Sequence, residues 1–351
     1  MIIVISMNWA VRVCAACIFC LLVGTAILHQ MLVRMLPDWE WQLRQRDVHL
    51  LVQAGNRSFP LLPRQPCPRH LAIVVLSAVG HFVERRAIRS TWAGDAVRPT
   101  ARVFFLLGTT ANGSLQRRVE EESIAHRDII QGEFLDSYYN LTLKTIHLLK
   151  WASERCPQTR YVVKTDDDIY VNVPNLIAYL RESASDSRFL AGKLVTGEKP
   201  ARNPFIKFYV HPRLYPADEF PDYLSGSGYV MSIDVAAALL RTAMRMRLLY
   251  FEDVFTTGLV AEKLGIARVD SSCFTYWEQE DQCCQRRLVT INLMTPERMR
   301  RTWRVVHDAD LPCDDSASVE EKTRHGEDGS TEEQCERCRN IAVPVNARYE
   351  I

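Results

Sequence analysis

Two runs constrain the fold most: Leu71-Ala72-Ile73-Val74-Val75-Leu76 and Val103-Phe104-Phe105-Leu106-Leu107. Neither alternates apolar with polar residues, as a half-solvated strand would. Continuous apolar character fits strands covered on both faces, the situation of a parallel sheet between helices. A third strand-like run, Tyr161-Val162-Val163-Lys164-Thr165, follows, and Asp128-Ile129-Ile130 is short and β-like. Between them lie segments suited to helices. Residues 82–92 combine charges with Ile88, and residues 115–126 are polar and helix-like. Leu141, Thr145, Leu148 and Ala152 share one helical face before Pro157. The order β-α-β-α-β-α-β predicts an α/β domain with a mainly parallel central sheet and crossover helices.

The ends of the chain read differently. Residues 13–33 are almost wholly apolar and approach the ~20 residues that span a bilayer as a helix. The expected organisation is a cytoplasmic tail (1–12), a transmembrane signal-anchor (13–33), a stem (34–66), the main domain (67–306) and a flexible, cysteine-containing tail (307–351). A cleaved signal peptide stays open, because Gly24-Thr25-Ala26 offers small residues for cleavage. Arg12 before the span and Arg34, Arg44 and Arg46 after it run against a lumenal body by the positive-inside rule. Two features favour one. Sequons stand at Asn56, Asn112 and Asn140, and eight of the 11 cysteines follow the span, an even number suited to disulfides. Their pairing is not readable from spacing. Cys335-x-x-Cys338 has no matching second pair for zinc, so a disulfide role is expected. A formal net charge of +1 gives no sign of a nucleic-acid partner.

The chemistry gathers at Asp166-Asp167-Asp168, directly after the third run. Adjacent carboxylates at a strand's carboxyl end suit a hard divalent cation, at the edge where open α/β sheets bind ligands. Tyr170 and Val171 stand where an EF-hand needs an oxygen ligand and a glycine, and no P-loop motif occurs. A nucleotide-sugar transferase, a phosphohydrolase and a solvated charge run all remain open at this point. Glu252-Asp253 opens a predicted helix and has helix capping as its plain explanation. Residues 200–221, rich in Pro, Tyr and Phe, suit a substrate-facing loop. Tyr276 and Trp277 suit either stacking on a sugar or simple packing.

Six segments occur in a telling order: Arg86-Ala87-Ile88-Arg89-Ser90-Thr91-Trp92, Phe104-Phe105-Leu106-Leu107-Gly108, residues 136–145 (DSYYNLTLKT), Lys164-Thr165-Asp166-Asp167-Asp168, Tyr223-Leu224-Ser225-Gly226-Ser227-Gly228-Tyr229 and Glu252-Asp253-Val254. Over residues 69–303 the set resembles the β-1,3-galactosyltransferase family. The resemblance implies a GT-A-like fold, a UDP-sugar donor such as UDP-galactose, a glycan acceptor on lipid or protein, and inversion at the anomeric carbon. It also implies a Golgi type II membrane protein with a lumenal catalytic domain. By the same resemblance Asp168 binds Mn²⁺ (Mg²⁺ as the substitute), Asp166 lies by the ribose with Asp167 beside it, and Asp253 is the general base. Arg86, Arg89 and Lys144 become candidates for the donor pocket. Family members often carry a metal-binding His four residues before the Pro of a Pro-Glu-x-Met segment. Here Pro296-Glu297-Arg298-Met299 is present and Asn292 takes that place, which puts metal affinity and preference in question. Transfer of an N-acetylhexosamine, or carbohydrate binding without turnover, are the alternatives.

Overall fold

The computed structural model describes residues 14, 17–18, 21–25, 40–43, 46–53, 59–94, 100–292, 294–310, 313 and 335–343. Strands β1 (Leu71–Leu76), β2 (Ala101–Thr109), β3 (Ile129–Leu135) and β4 (Tyr161–Asp166) are parallel and lie in the order β3-β2-β1-β4. Helices α1 (Phe82–Arg89), α2 (Gly113–His126) and α3 (Leu141–Arg155) connect them. The apolar runs behave as expected: every residue of β1 is buried, and Phe104, Phe105 and Trp151 fill the space beside it. Each such side chain contributes roughly 1.5–3 kcal/mol on leaving water.

Past β4 the chain makes β5 (Tyr170–Val171), helix α4 (Val173–Ser183), β6 (Leu190–Val195), β7 (Tyr223–Ser232), helix α5 (Ile233–Ala243), β8 (Val269–Asp270) and β9 (Thr290–Ile291). β7 pairs antiparallel with β4 and with β6, while β8 is parallel to β6. The seven-stranded sheet therefore runs β3-β2-β1-β4-β7-β6-β8, and β5 and β9 form a separate antiparallel pair.

Three expectations need correction. β3 runs through Leu135, well beyond the Asp128-Ile129-Ile130 read from the sequence. Gln131 masks it, being polar yet fully buried, with its amide donating to Gly108 O at 2.8 Å. The stem is not bare linker: residues Val48–Gln53 are helical, Val48 and Val52 are buried, and Leu248 N donates to Arg46 O. The tail is not wholly flexible either. Disulfides join Cys283 to Cys313, Cys284 to Cys335 and Cys273 to Cys338, and Val343 N donates to Asn175 Oδ1. The fourth bridge, Cys67–Cys156, ties the entry of β1 to the end of α3.

Among the described residues no helix is long and apolar enough to cross a membrane. The predicted anchor at 13–33 lies mostly outside them. Residues 1–45 and 199–219 form a compact unit separate from 46–198 and 220–351. Within it the Gln42 side chain donates to Tyr209 O and accepts from His211 N, while Arg202 donates to Val210 O, Tyr215 O and Ala217 O. The stretch read as a substrate-facing loop belongs almost entirely to this unit.

Candidate active site

The site is built on β4 and its antiparallel neighbour β7. Their register sets Lys164 opposite Tyr229 and Thr165 opposite Gly228. An ammonium inside a sheet needs anionic partners. Lys164 Nζ lies 2.9 Å from Asp166 Oδ1 and 3.2 Å from Glu252 Oε2, and it donates to Gly226 O. Glu252 Oε1 accepts from Tyr229 O–H at 2.6 Å. Burial pulls the Lys164 pKa down, but Asp166 and Glu252 outweigh it and hold the ammonium charged.

The three aspartates do different things. Asp166 is pushed up to about 7 by burial, opposed by Lys164 and helped by Asp168 and Glu252. Its side chain keeps 34% exposure, so solvent tempers that rise. Asp167 is buried and turned inward. Its Oδ2 accepts from Ser77 Oγ at 2.6 Å and meets His81 Nδ1 at 2.8 Å. Arg85 Nη1 in turn donates to Ser77 Oγ, and Arg85 is fully buried against Glu122. Asp167 therefore anchors the loop after β1, and the donor-binding role expected for it does not match this orientation. Asp168 is the exposed member; partial desolvation, then the adjacent Asp167, pushes its pKa up.

β5 and β9 bring a distant segment to Asp168. Tyr170 pairs with Ile291, and Met294 N donates to Asp168 O at 2.8 Å. The pairing brings the segment that holds Asn292 alongside the backbone of Asp168. The Asn292 amide nitrogen donates to Tyr276 O at 2.8 Å, which makes Oδ1 the end able to meet a cation. Among the described residues, no three His, Cys, Asp or Glu side chains converge as a metal set. The side chains read as cation ligands, Asp168 and Asn292, offer oxygens only. That set fits Mg²⁺ or Mn²⁺, which take one or two carboxylates and complete their shell with water and phosphate.

Asp253 stands at the head of a helix whose residues Val254–Val260 are π-helical, a form found often at functional sites. Its Oδ1 accepts from Val254 N at 2.9 Å and its Oδ2 from Gly226 N at 3.1 Å. A Cβ at position 226 would sit 3.2 Å from that Oδ2, a tight contact that glycine avoids. Burial and Glu252 push Asp253 up to about 6 against the opposing pull of Val254 N, Lys164 and Gly226 N. Two phenols feel it: Tyr138 is pushed up to about 12 by burial and then Asp253, and Tyr223 is raised for the same reasons. Gly228 pairs with Thr165, so Gly226 and Asp253 lie just past the end of β4, where the triplet begins.

Of the cationic candidates, the two arginines are not brought there. α1 leads away from the carboxyl end of β1, so Arg85 stays near Ser77 while Arg89, a turn later, reaches Asp128 and Glu122 at the entry to β3. Arg86 is exposed, beside Arg118 and Glu121. Lys144 is buried, bonded to Asp136 Oδ1 at 2.8 Å and Ser77 O at 2.7 Å. It ties Asp136 to the end of β1, next to the Ser77 that holds Asp167. Sequence reasoning missed Lys164, Glu252, Arg85 and His81 as working parts. Lys164 had a signal, because a lone cation in a buried strand demands a partner.

Of the sequons, Asn56 lies outside the described residues. Asn112 is exposed and caps α2 through Ser114 N and Leu115 N. Asn140 is half-buried, with Nδ2 donating to Leu135 O and Oδ1 accepting from Arg46, which makes it a structural tie.

The Galactosyltransferase family model matches residues 83–272, the stretch that contains the triplet, Gly226 and Asp253. Beta-1,3-galactosyltransferase 1 of Mus musculus is 38% identical over 256 residues, covering 70% of this chain and 78% of that protein. Beta-1,3-galactosyltransferase 5 of Homo sapiens is 36% identical over 267 residues, covering 74% and 86%. Among solved structures, a bifunctional glycosyltransferase, WbbM, aligns at a TM-score of 0.35 and 14% identity over 62% of this chain and 40% of that one. With the family model spanning more than half of its length and these relatives covering over two thirds of it, the chain belongs to the galactosyltransferase family.

Proposed function

We propose that this protein transfers galactose from UDP-galactose to a hydroxyl of a glycan acceptor, forming a β-1,3 linkage with inversion on a GT-A-like scaffold. The observation that carries the reading is Asp253: a carboxylate seated on Gly226, pushed up to about 6, at the strand edge where Asp166 and Asp168 emerge. The names of the relatives, beta-1,3-galactosyltransferases 1 and 5, support the same chemistry.

An inverting transfer is a single displacement. The acceptor O–H gives its proton to Asp253, and its oxygen bonds the anomeric carbon. The bond from that carbon to UDP breaks, and its electron pair leaves on the diphosphate. A carboxylate with a pKa near 6 is ionised at neutral pH yet more basic than an ordinary aspartate, which suits this role. Lys164 keeps Glu252 and Asp166 compensated, so Asp253 is not surrounded by unpaired negative charge. A divalent cation, Mn²⁺ or Mg²⁺, bound by Asp168 and Asn292 would supply Lewis-acid stabilisation of the leaving diphosphate. Asp166 would hold the ribose end of the donor. The four disulfides support an oxidising compartment, consistent with a Golgi lumenal domain behind an N-terminal anchor.

The test is Asp253→Asn with UDP-galactose and Mn²⁺. Turnover should fall about 10²–10⁴-fold, with UDP binding retained and the variant unfolding cooperatively, no less stable than the wild type. Full turnover by the folded variant would remove Asp253 as the base.

A further inference from the structure

We infer that the exposed ring of Tyr276 is the platform on which the acceptor's hexose stacks; this rests on the transferase reading above. The Thr275–Tyr276 segment is pinned between the two sides of the site. On one side Ser227 Oγ donates to Thr275 O at 3.0 Å, and Ser227 follows the glycine on which Asp253 sits. On the other, Asn292 Nδ2 donates to Tyr276 O at 2.8 Å. Thr275 is further bonded to Thr290 through its backbone N–H and its hydroxyl, which fixes the segment to β9.

The backbone is therefore held rigidly where cation side and base side meet, while the side chain is left open. Tyr276 keeps 42% of its exposure, the only aromatic residue of this site among the exposed large hydrophobic side chains described. Its ring packs edge-on against Trp277, with centroids 4.3 Å apart, which sets its orientation. Asp253 and Tyr276 both act on the Tyr223 phenol, in keeping with a ring close to the base.

A hexose brings a patch of C–H groups on one face and hydroxyls around its edge. An aromatic face covers the patch and leaves a hydroxyl free to turn toward a nearby base. In the reading above the donor is held by its diphosphate and nucleoside, so an open ring near the base serves the second sugar.

The experiment uses the full chain, UDP-galactose, and methyl β-N-acetylglucosaminide and methyl β-galactoside as acceptor probes. Tyr276→Leu keeps apolar bulk but loses the π face. Its acceptor KM should rise about tenfold, the scale of one aromatic contact, while the donor KM moves little. Tyr276→Trp should restore the acceptor KM. An equal rise in both KM values, or no rise in either, overturns the inference. Saturation-transfer NMR of the same glycosides requires no turnover. If the wild type fails to transfer but binds a glycoside in a manner lost in Tyr276→Leu, the platform stands and the transferase reading falls. If the wild type transfers and the leucine variant binds the glycoside unchanged, the platform falls and the transferase reading stands.

Discussion

In the proposed site Asp253 and Asp168 are held in opposite ways. Asp253 sits in a cage of charge: Lys164 is buried between Asp166 and Glu252, and Tyr229 closes the cage. Asp168 is exposed and is positioned through its backbone by a pair of two-residue strands. So short a ladder is weak by itself. It is backed by covalent bonds from the end of the chain: Val289 N donates to Cys273 O, Cys273 is bridged to Cys338, and Cys284 to Cys335. Asn175, which receives Val343 N, also donates to Arg286 O and Leu288 O just before β9. Where the chemistry needs a tuned carboxylate, the fold uses buried charges. Where the reading needs an open ligand, a buried base of Tyr170, Val171, Ile291 and Met294 carries it, and disulfides reinforce that base.

The largest effect should come from breaking the cage. Lys164→Met leaves Asp166 and Glu252 without their counter-charge and should cost about 3–5 kcal/mol, the usual penalty for orphaning a buried charge. Denaturant unfolding measures it. A loss below about 1 kcal/mol, the range of surface pairs, would show that the cage is not what holds Asp253.

Next is the staple. Replacing Cys284 and Cys335 together by Ala should cost about 2–4 kcal/mol. It should also weaken Mn²⁺ binding while the acid limb of the pH–rate profile stays in place, because Asp253 is held independently. If metal affinity survives and the acid limb moves, the two sides are not separately supported.

This division explains what the sequence revealed. β1, β2 and β4 were legible because burial on both faces leaves an unbroken apolar signature. The acidic edge was legible because Asp166, Asp168 and Asp253 stand at a strand end and a helix start, where clustered carboxylates are conspicuous in the sequence. Lys164–Glu252 and Arg85–Glu122 were not, because each joins residues far apart in sequence and no periodicity encodes such a pair. Arg89 was misplaced for a geometric reason: two turns of helix carry it to the far end of the sheet. The tail looked flexible because its composition is polar, and the three bridges that overrule composition cannot be paired from spacing.

The cage also makes a pH prediction. Asp253 is raised from an ordinary value of 3.8 to about 6, so the folded state binds the extra proton between those values. Its contribution to stability is fully present below about 3.8 and is lost as pH rises through about 6. Asp253→Asn, which cannot ionise, should therefore gain on the wild type between pH 4 and pH 8. The gain should be on the order of 2 kcal/mol, after allowance for solvent at a half-buried group. Turnover of the wild type should fall as pH drops below about 6. A stability difference that is flat with pH would place the Asp253 pKa near its ordinary value and remove the reason for its basicity.

The smallest change addresses the open side. Asn292 offers one amide oxygen, and its nitrogen is engaged with Tyr276 O. An imidazole is a stronger ligand for Mn²⁺ than an amide and favours it over Mg²⁺. Asn292→His should tighten Mn²⁺ binding by about tenfold, roughly 1.4 kcal/mol, and widen the preference for Mn²⁺ over Mg²⁺. Titration calorimetry with UDP present reads both. The substitution also removes the donor to Tyr276 O, so the acceptor KM reports whether that bond matters to the platform. Tighter metal with an unchanged acceptor KM would show that β9 alone positions Tyr276. Unchanged metal affinity would mean that position 292 does not reach the cation, leaving Asp168 as its principal protein ligand.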